Sequence, residues 1–345
     1  MSLNRRNKVF WEPIYDKGLN EEFGEGLWSF ENQTGPRKLC FRPEEGQNET
    51  RKVKNVAFQE CDFRGTFNYR IVFVNCTFEK CDFAESTFNR AKFTTCTFSN
   101  TTFSMCNLLN CELRSCSFSK IGFSGNETQL DKTLITNPSE FISGGETNVS
   151  DLPVSMSPFV QKLRFEVTKS TLARSLMVTL ANEGSEKTYY DGVKVSTTQD
   201  CKAKASNSIL DLIKVKNNEN ISIIGKLWPV SKSVLGLIGS ISDLIILRVF
   251  GMVNSWGSSV ARPSAVGLGL IFFFGLVYSR MEGIEILKGA EKATEILLLF
   301  GYTKHSSLVT ATNMQIFQLW NALLGVFWYV VTIPTIVNKL TRVRG

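Results

Sequence analysis

The most reactive side chains in this sequence are nine cysteines and one histidine, His305. Cysteine thiols can ligate metals, form disulfides or act as nucleophiles. Here no Cys-x-x-Cys pair occurs, the single imidazole offers no Ser/His/Asp arrangement, and there is no phosphate-binding loop. We therefore expect no enzymatic activity, no cofactor and no metal site. Seven cysteines instead stand five residues, or a multiple of five, apart: Cys61, Cys76, Cys81, Cys96, Cys106, Cys111 and Cys116.

Large apolar residues follow the same five-residue spacing, each two positions after a small residue. An α-helix repeats every 3.6 residues and a strand every two, so this spacing indicates a repeat architecture in which each unit stacks on the next. Asn68 stands where a large residue is due, and we expect a local bulge or an open corner there. The predicted core consists of Phe58, Phe63, Phe73, Phe78, Phe83, Phe88, Phe93, Phe98, Phe103, Leu108, Leu113, Phe118 and Phe123.

The repeated unit, as in CTFEK CDFAE STFNR AKFTT CTFSN, resembles the pentapeptide-repeat proteins over residues 56 to about 124. The resemblance implies a β-solenoid, a right-handed quadrilateral β-helix in which four pentapeptides make one turn around the large residues. At four units per turn, Cys76, Cys96 and Cys116 stack on one side. Turns about 4.8 Å apart permit disulfides on distance alone. We favour packing of reduced thiols as small apolar side chains, because free cysteine is usually buried.

Changes in composition divide the first two thirds of the chain into four segments. We expect an N-terminal cap over 1–50, the pentapeptide-repeat β-helix over 51–130, a linker over 131–157 and a cytoplasmic α-helical hairpin over 158–228. The N-terminus lacks the continuous apolar core of a signal peptide, which favours a reducing cytoplasmic location for the repeats.

The last third has the composition of an α-helical transmembrane module. The uncharged segments 264–279 and 315–337 predict two spans within 263–345, in contact with membrane lipids. Segment 234–253 is apolar but contains Asp243 and Arg248, so we favour a surface helix and connector over 229–262, with a third span as the alternative. Two spans and a basic tail predict a multi-pass protein of the inner (cytoplasmic) membrane with both termini in the cytoplasm.

An amphipathic segment, 284–300, and the sequence FGYTKHSS lie between the two predicted spans. This order resembles the two-helix pore module of potassium-channel-like proteins. Trp256, Gly257, Arg262 and Pro263 also resemble a segment that leads into such a module in some bacterial pentapeptide-repeat proteins. The resemblance implies a pore lined near Phe300, Gly301, Tyr302 and Thr303, with Gly325 as a bending point. Only Gly-Tyr of a potassium filter is present, which argues against potassium selectivity.

Two functions follow. The first is an oligomeric ion-channel-like pore, most simply a homotetramer, regulated by the cytoplasmic repeat domain and its protein partner. The alternative is a membrane-tethered scaffold that binds a cytoplasmic protein without conduction. DNA mimicry of the gyrase-inhibitor type is disfavoured, because residues 51–130 contain ten Lys/Arg against seven Asp/Glu. The basic residues are dispersed among acidic ones, so we expect no nucleic-acid binding.

Overall fold

The structure is a computed structural model that describes residues 26–29, 50–61, 63–123, 128–147, 157–217, 223–300, 305 and 312–342. The chain divides into two compact units, residues 1–245 and 246–345. The first contains all the strands described: β1 Gly26–Ser29, β2 Arg51–Lys54, β3 Val56–Gln59, β4 Phe67–Tyr69, β5 Ile71–Val74, β6 Thr77–Glu79, β7 Thr87–Asn89, β8 Lys92–Thr94, β9 Thr97–Ser99, β10 Asn107–Leu109, β11 Glu112–Arg114, β12 Ser117–Ser119, β13 Gln129–Asp131 and β14 Leu134–Ile135.

These strands form three parallel sheets, ordered β1-β3-β6-β9-β12, β13-β10-β7-β4 and β14-β11-β8-β5-β2. Each strand pairs with the one four pentapeptides further on, so that Phe58 lies opposite Phe78 and Phe78 opposite Phe98. The fourth side is formed by turns and by single bridges such as Asp82 to Thr102. The result is a parallel β-solenoid of about four turns, which confirms the predicted repeat architecture.

The predicted core residues fill the axis of the solenoid. All thirteen are buried, and most of the rings have no exposed surface. Rings on one side stack from turn to turn, as Phe78 and Phe98 do at 4.9 Å between centroids. Rings on adjacent sides meet edge to face, as Phe83 and Phe88 do at 5.4 Å. Such aromatic pairs add to the stabilisation that comes from burial itself.

The corners explain why the unit has five residues. Two positions after each large residue from Phe58 to Phe118, the backbone turns through the left-handed region, for example at Glu60, Lys80, Thr95 and Met105, with φ between 52° and 56°. Gly65 occupies one such corner at φ 62°. Left-handed backbone is unfavourable for residues other than glycine and asparagine. The inter-turn backbone hydrogen bonds, such as Thr95 N to Arg114 O at 2.9 Å, hold the chain in this conformation.

Asn68 does not open a bulge or a corner, so that expectation was wrong. β4 pairs with β7 in register, Asn68 opposite Phe88. The Asn68 side chain is fully buried, and its Nδ2 donates to Thr66 Oγ1 at 2.9 Å. Thr66 Oγ1 in turn donates to Phe63 O at 2.6 Å. A short local network therefore satisfies a polar side chain in the aromatic core.

The regular structure extends further than the composition predicted. β13 continues one sheet at the end of the predicted β-helix, with Leu130 opposite Leu108. Within the segment expected to be a linker, β14 continues a second sheet, and a short helix α1 follows at Pro138–Ser143. Phe141 of α1 packs on Phe118 and on Phe123, each at 5.0 Å between centroids. This helix covers the end of the aromatic core, where the solenoid would otherwise expose an edge. At the other end, β1, which lies in the predicted cap, pairs with β3 of the first coil. Apart from residue 50, the rest of the predicted cap lies outside the described residues.

Two long helices follow, α2 Pro158–Glu183 and α3 Glu186–Asn217, at the place predicted for a helical hairpin. They pack closely, and a Cβ on Gly192 would lie 2.6 Å from the Leu180 side chain. Ser170 and Arg174 on α2 both donate to the carboxylate of Asp200 on α3. Ser139 of α1 donates to Asp191 of α3, which ties the hairpin to the end of the solenoid.

The remaining helices are α4 Ile223–Asn254, α5 Ala261–Glu282, α6 Ile286–Leu297 and α7 Thr312–Arg342, with a 3₁₀ turn at Ser255–Gly257. Three segments are long and apolar enough to cross a membrane: Leu227–Gly257, Ala261–Glu282 and Asn313–Lys339. The latter two contain the predicted spans. The first contains segment 234–253, which therefore belongs to a longer helix than expected, and length and composition allow it to cross as well as to lie on a surface.

Candidate functional site

The candidate site lies in residues 246–345, where the short helix α6 folds back between two long apolar helices. α6 has twelve residues, which corresponds to a length of about 18 Å. The hydrocarbon core of a bilayer is about 30 Å thick. α6 is therefore too short to cross, and its charged residues, which include Lys288, Glu291 and Glu295, stand on a helix with strongly segregated apolar and polar faces.

α6 runs antiparallel to α5 at very close range. Gly283, at φ 67°, makes the left-handed turn that reverses the chain after α5. A Cβ on Gly289 of α6 would lie 2.4 Å from the carbonyl oxygen of Gly275 on α5. Nearer the turn, Ser279 Oγ donates to Ile284 O at 2.7 Å. The small residues let the two backbones touch, the usual way in which apolar helices associate within a membrane.

α6 runs parallel to α7. Asn321 Nδ2 of α7 donates to Ala293 O, and four residues further along both helices Gly325 meets the carbonyl of Leu297. The C-terminal end of α6 thus lies beside the middle of α7, while α7 begins near the other end of α6. The end of α6 and the start of α7 therefore lie near opposite ends of α6.

A buried polar cluster holds the three helices together. Tyr278 of α5 and Asn321 of α7 are fully buried, and Asn321 Nδ2 lies 3.2 Å from Tyr278 Oη. Lys292 of α6 lies over the Tyr278 ring, 5.3 Å from its centroid, and pairs with Glu282 at 2.5 Å. One turn before Asn321, the amide of Gln318 is fully buried and, among the residues the structure describes, neither of its polar atoms has a partner.

The residues of the Trp-Gly-x-x-x-x-Arg-Pro segment form the turn that leads into α5. Trp256 and Gly257 both have positive φ, and the Trp256 ring packs on Gly251. Pro263 stands in the first turn of α5, where a missing N–H is tolerated. Its carbonyl accepts a hydrogen bond of 2.6 Å from Trp328 Nε1 of α7. Arg262 is exposed. The motif thus fixes the entry of α5 against α7.

The predicted pore residues fall in two places. Phe300 follows α6 and is 82% exposed. Gly301, Tyr302 and Thr303 lie outside the described residues. Gly325 is buried within α7, which continues as a helix through it, and it serves as the contact point for the end of α6. Its role within one chain is therefore close packing.

Sequence reasoning did not single out the pair formed by Glu295, in the last turn of α6, and His305. Glu295 Oε2 lies 2.6 Å from His305 Nε2. The side chains are 35% and 16% exposed, respectively. The sequence offered two signals for this pair: His305 is the only histidine of the chain, and Glu295 is an acidic residue near the end of the predicted amphipathic segment. Polar residues inside an otherwise apolar span were the corresponding signal for Gln318 and Asn321.

The cysteines of the solenoid are buried free thiols. Five of them donate to a carbonyl of the preceding turn, as Cys111 Sγ does to Phe88 O at 3.3 Å, whereas Cys61 Sγ donates to Gln59 O and Cys106 Sγ lies 3.5 Å from Ser86 Oγ. Burial raises the pKa of Cys111 to about 11 and that of Cys106 to about 12. The thiolate, the nucleophilic form, is therefore disfavoured in the folded protein. These thiols form part of the core, and no cluster of metal ligands occurs in the described part of the chain.

The outer surface of the solenoid is mixed in charge. Ion pairs connect successive turns, such as Lys80–Glu60 at 2.8 Å and Lys92–Glu112 at 3.2 Å. One side differs because it carries aromatic residues: Phe67 is 38% exposed, and Tyr69 lies between the guanidinium groups of Arg70 and Arg90. Aromatic and arginine side chains are enriched at protein–protein interfaces.

The stacked parallel strands and the five-residue period define the first unit as a repeat β-solenoid. Residues 70–100 match the protein family described as "Pentapeptide repeats (8 copies)". The chain thus carries a pentapeptide-repeat domain, as the sequence predicted. Among solved structures, a pentapeptide repeat protein from the cyanobacterium Cyanothece 51142 matches 26% of this chain and 63% of its own, at 10% identity and a TM-score of 0.17. The chain thus spans less than two thirds of that relative. No curated protein matches the chain.

Proposed function

We propose that the protein is a multi-pass inner-membrane protein whose residues 263–345 assemble into an ion-channel-like pore, regulated by the cytoplasmic pentapeptide-repeat domain. One observation carries the proposal: α6 is a half-length helix folded back between α5 and α7, with its end beside the middle of α7. Antiparallel to the preceding span and parallel to the following one, it has the course of a re-entrant pore helix.

The physical argument concerns the place where α6 ends. If α5 and α7 cross the bilayer, α6 enters the membrane and ends near mid-depth, because Leu297 meets Gly325 inside α7. The unsatisfied carbonyls of a helix end at membrane depth are tolerated only where protein covers them or where they line a water-filled cavity. A tether has no need of such a half-length helix, since a short turn between α5 and α7 would anchor the protein equally well. A pore can use it, because backbone carbonyls can replace the hydration shell of an ion.

A pore further requires several copies, because two or three helices from one chain do not enclose a channel. A closed ring is the usual form of a homo-oligomer, and a ring of four is the simplest that surrounds an axis with four re-entrant segments. We therefore expect a homotetramer in lipid, with the repeat domains on the cytoplasmic side of the ring.

Two measurements on the full-length protein test the proposal. Native mass spectrometry from lipid nanodiscs should give four copies, and reconstitution into liposomes should give ion flux above that of empty liposomes. Gly301→Val should abolish or alter this flux without preventing insertion, because it changes the segment predicted to line the pore. Gly269→Ala is the matched control, since a Cβ there meets open space. A monomer without flux would overturn the proposal.

A membrane-tethered scaffold is the second candidate, and the surface of β4 and β7 offers the binding face that it needs. Phe67, Tyr69, Arg70 and Arg90 place aromatic and arginine side chains together on one side of the solenoid. A protein partner bound there would suit either function, as regulator of a pore or as cargo of a tether. A monomeric, non-conducting protein from which Tyr69→Ala removes a partner captured in intact cells would establish the scaffold.

A further inference from the structure

We propose that Glu295 faces water near the middle of the membrane and forms a cation-binding site in the pore. The inference rests on the proposed function, because it takes α5 and α7 to cross the bilayer. It adds a site and the charge of the transported ion. The observation behind it is a partly exposed carboxylate at a depth where hydrocarbon would surround a lipid-facing side chain.

The depth of Glu295 follows from the contacts on either side of it. Ala293 accepts a hydrogen bond from Asn321, and Leu297 meets Gly325. Glu295 lies between those two contacts on α6, so it stands level with α7 between Asn321 and Gly325. Both are interior positions of the 27-residue apolar segment Asn313–Lys339. Glu295 is therefore remote from the headgroups on either side.

The exposure of Glu295 then becomes informative. Its side chain is 35% exposed and is hydrogen-bonded to His305. An ionisable side chain at the bilayer centre is costly, by at least a few kcal/mol, and such residues face the bundle interior or a water-filled cavity. The exposed part of Glu295 is thus incompatible with a lipid-facing surface, and we infer an aqueous path along this side of α6.

Apart from His305, which is hydrogen-bonded to Glu295, the described side chains on this part of α6 leave carboxylates in excess. On α6, Lys292 is engaged by Glu282 of α5, and Glu291 adds a further carboxylate. Arg280 lies near the end of α5 and is exposed, while α7 has no charged residue between 313 and 338. Lys304 lies outside the described residues. The C-terminal end of α6 contributes partial negative charge from its carbonyl groups. Acidic side chains at such a position select cations.

Water accessibility tests the site independently of conduction. Full-length Glu295→Cys in liposomes should react with a charged, membrane-impermeant thiosulfonate, counted at that residue by peptide mass spectrometry. Leu268→Cys is the matched control, because Leu268 is exposed on α5 but apolar and should face lipid. We expect position 295 to react at least roughly tenfold faster, since thiolates form in water and not in hydrocarbon. Equal rates, or no reaction at position 295, would overturn the inference.

Ion selectivity provides the second test. Reversal potentials in a potassium chloride gradient give the ratio of potassium to chloride permeability. This ratio should fall by roughly tenfold in Glu295→Gln, which is the lower end of the range by which a charged cleft raises the local concentration of counter-ions. Glu295→Asp should retain selectivity, and Glu291→Gln, which removes the second carboxylate, should lower it less than Glu295→Gln does. Flux with unchanged selectivity in Glu295→Gln would refute the cation site while leaving the pore intact. Absence of flux in wild type would instead refute the pore, and the thiol reaction would still decide whether Glu295 meets water.

Discussion

The carbonyl oxygen of Leu297 faces Gly325 so closely that a Cβ on Gly325 would lie 2.3 Å from it. The Leu297 carbonyl carbon and Cα would lie 3.0 and 3.1 Å from the same Cβ. The opposing atoms belong to the backbone, so they cannot rotate aside as the end of a side chain could. The absence of a side chain at Gly325 thus lets the end of α6 contact α7 at this position.

Gly325→Ala should therefore displace α6 from α7. Inserting a methyl group into such a contact costs about 1–3 kcal/mol through strain and backbone shifts. Thermal unfolding in detergent, followed by the loss of monodisperse protein in size-exclusion chromatography, should occur at a lower temperature than in wild type. Gly269→Ala, which meets no atom within 4 Å, should not lower it. Equal unfolding temperatures for wild type and Gly325→Ala would contradict the packing described.

The aromatic core predicts a large effect at Phe88. This ring is fully buried between Phe83 and Phe93, at 5.4 and 5.6 Å between centroids. Phe88→Ala should destabilise the solenoid by about 3–5 kcal/mol, because truncation removes apolar contact and leaves a cavity. Phe67→Ala, on the exposed side of an adjacent strand, is the control and should have a much smaller effect. Urea unfolding followed by the β-sheet amide I band in the infrared would measure both, and comparable losses would mean that the register is wrong.

Thr95 occupies a corner of the solenoid, where replacement by asparagine should stabilise the protein. Its φ of 56° is unfavourable for a β-branched residue, and its side chain is exposed. Thr95→Asn should raise the free energy of unfolding by about 1 kcal/mol, since asparagine tolerates left-handed backbone. Thr97→Asn, two residues further along in a strand, should instead lower it slightly, because asparagine is a poor strand former. The same infrared unfolding measurement applies, and a stabilising Thr97→Asn would show that the effect is not conformational.

Much of the solenoid was predictable because one rule applies at every repeat. The position of Phe78 opposite Phe98 follows from the five-residue period once four units make a turn. Asn68 was mispredicted because the period contains no information about the local hydrogen bonds that satisfy its amide. The extension through β14 and α1 was not predicted because β14 lacks a large aromatic residue, and because the register has already shifted by two residues at Leu130 of β13.

The candidate site was less accessible to sequence reasoning. The amphipathic pattern predicted α6. Its position against α5 and α7 depends on close contacts at Gly275, Gly289 and Gly325. Glycines do not contribute to the apolar periodicity from which helix packing is predicted. The partner of Glu295 is ten residues further along the chain, and the partners of Asn321 lie on α5 and α6. Sequence reasoning singled out neither residue, and three-dimensional contacts were needed to place them at one level.

The buried thiols make the stability of the solenoid sensitive to alkaline pH. Burial raises the pKa of Cys106 to about 12 and of Cys111 to about 11, whereas an unfolded thiol ionises near pH 8.5. Below that value both states are protonated and the stability is complete. As the pH rises toward the folded values, only the unfolded state loses protons, so stability should fall by up to about 1.4 kcal/mol per pH unit for each thiol.

The free energy of unfolding, measured from pH 8 to pH 11, should therefore decline more steeply in wild type than in the Cys106→Ala, Cys111→Ala variant. The difference in slope isolates the thiols from lysine and tyrosine residues that titrate in the same range. The offset between the two curves reports only the cavities left by truncation. Parallel curves would mean that these thiols ionise as easily in the folded protein as in the unfolded one.

Within residues 1–245, α4 contacts α3, and this contact bears on whether α4 crosses the membrane or lies on its surface. Lys204 Nζ of α3 lies 3.9 Å from Asp243 Oδ2, and a Cβ on Gly236 would lie 2.9 Å from Ser208 Oγ. α3 is a polar helix with exposed lysines, including Lys204 and Lys214. If residues 236–243 lay at mid-membrane, these contacts would draw charged side chains of α3 into hydrocarbon, which is unfavourable. The contact therefore favours a surface position for this part of α4.

With α4 at the surface and α5 and α7 across the membrane, both termini should lie on the cytoplasmic side. Fusions of green fluorescent protein, which fluoresces in the cytoplasm, should be bright at either end of the chain. Alkaline phosphatase, which is active only outside the cytoplasm, should be active when inserted after Ser307, between α6 and α7, and inactive at both termini. Termini on opposite sides would mean that α4 crosses the membrane. If α4 crosses the membrane, the Lys204–Asp243 contact must break when α4 inserts. Removing the contact with Lys204→Ala should then leave the topology unchanged.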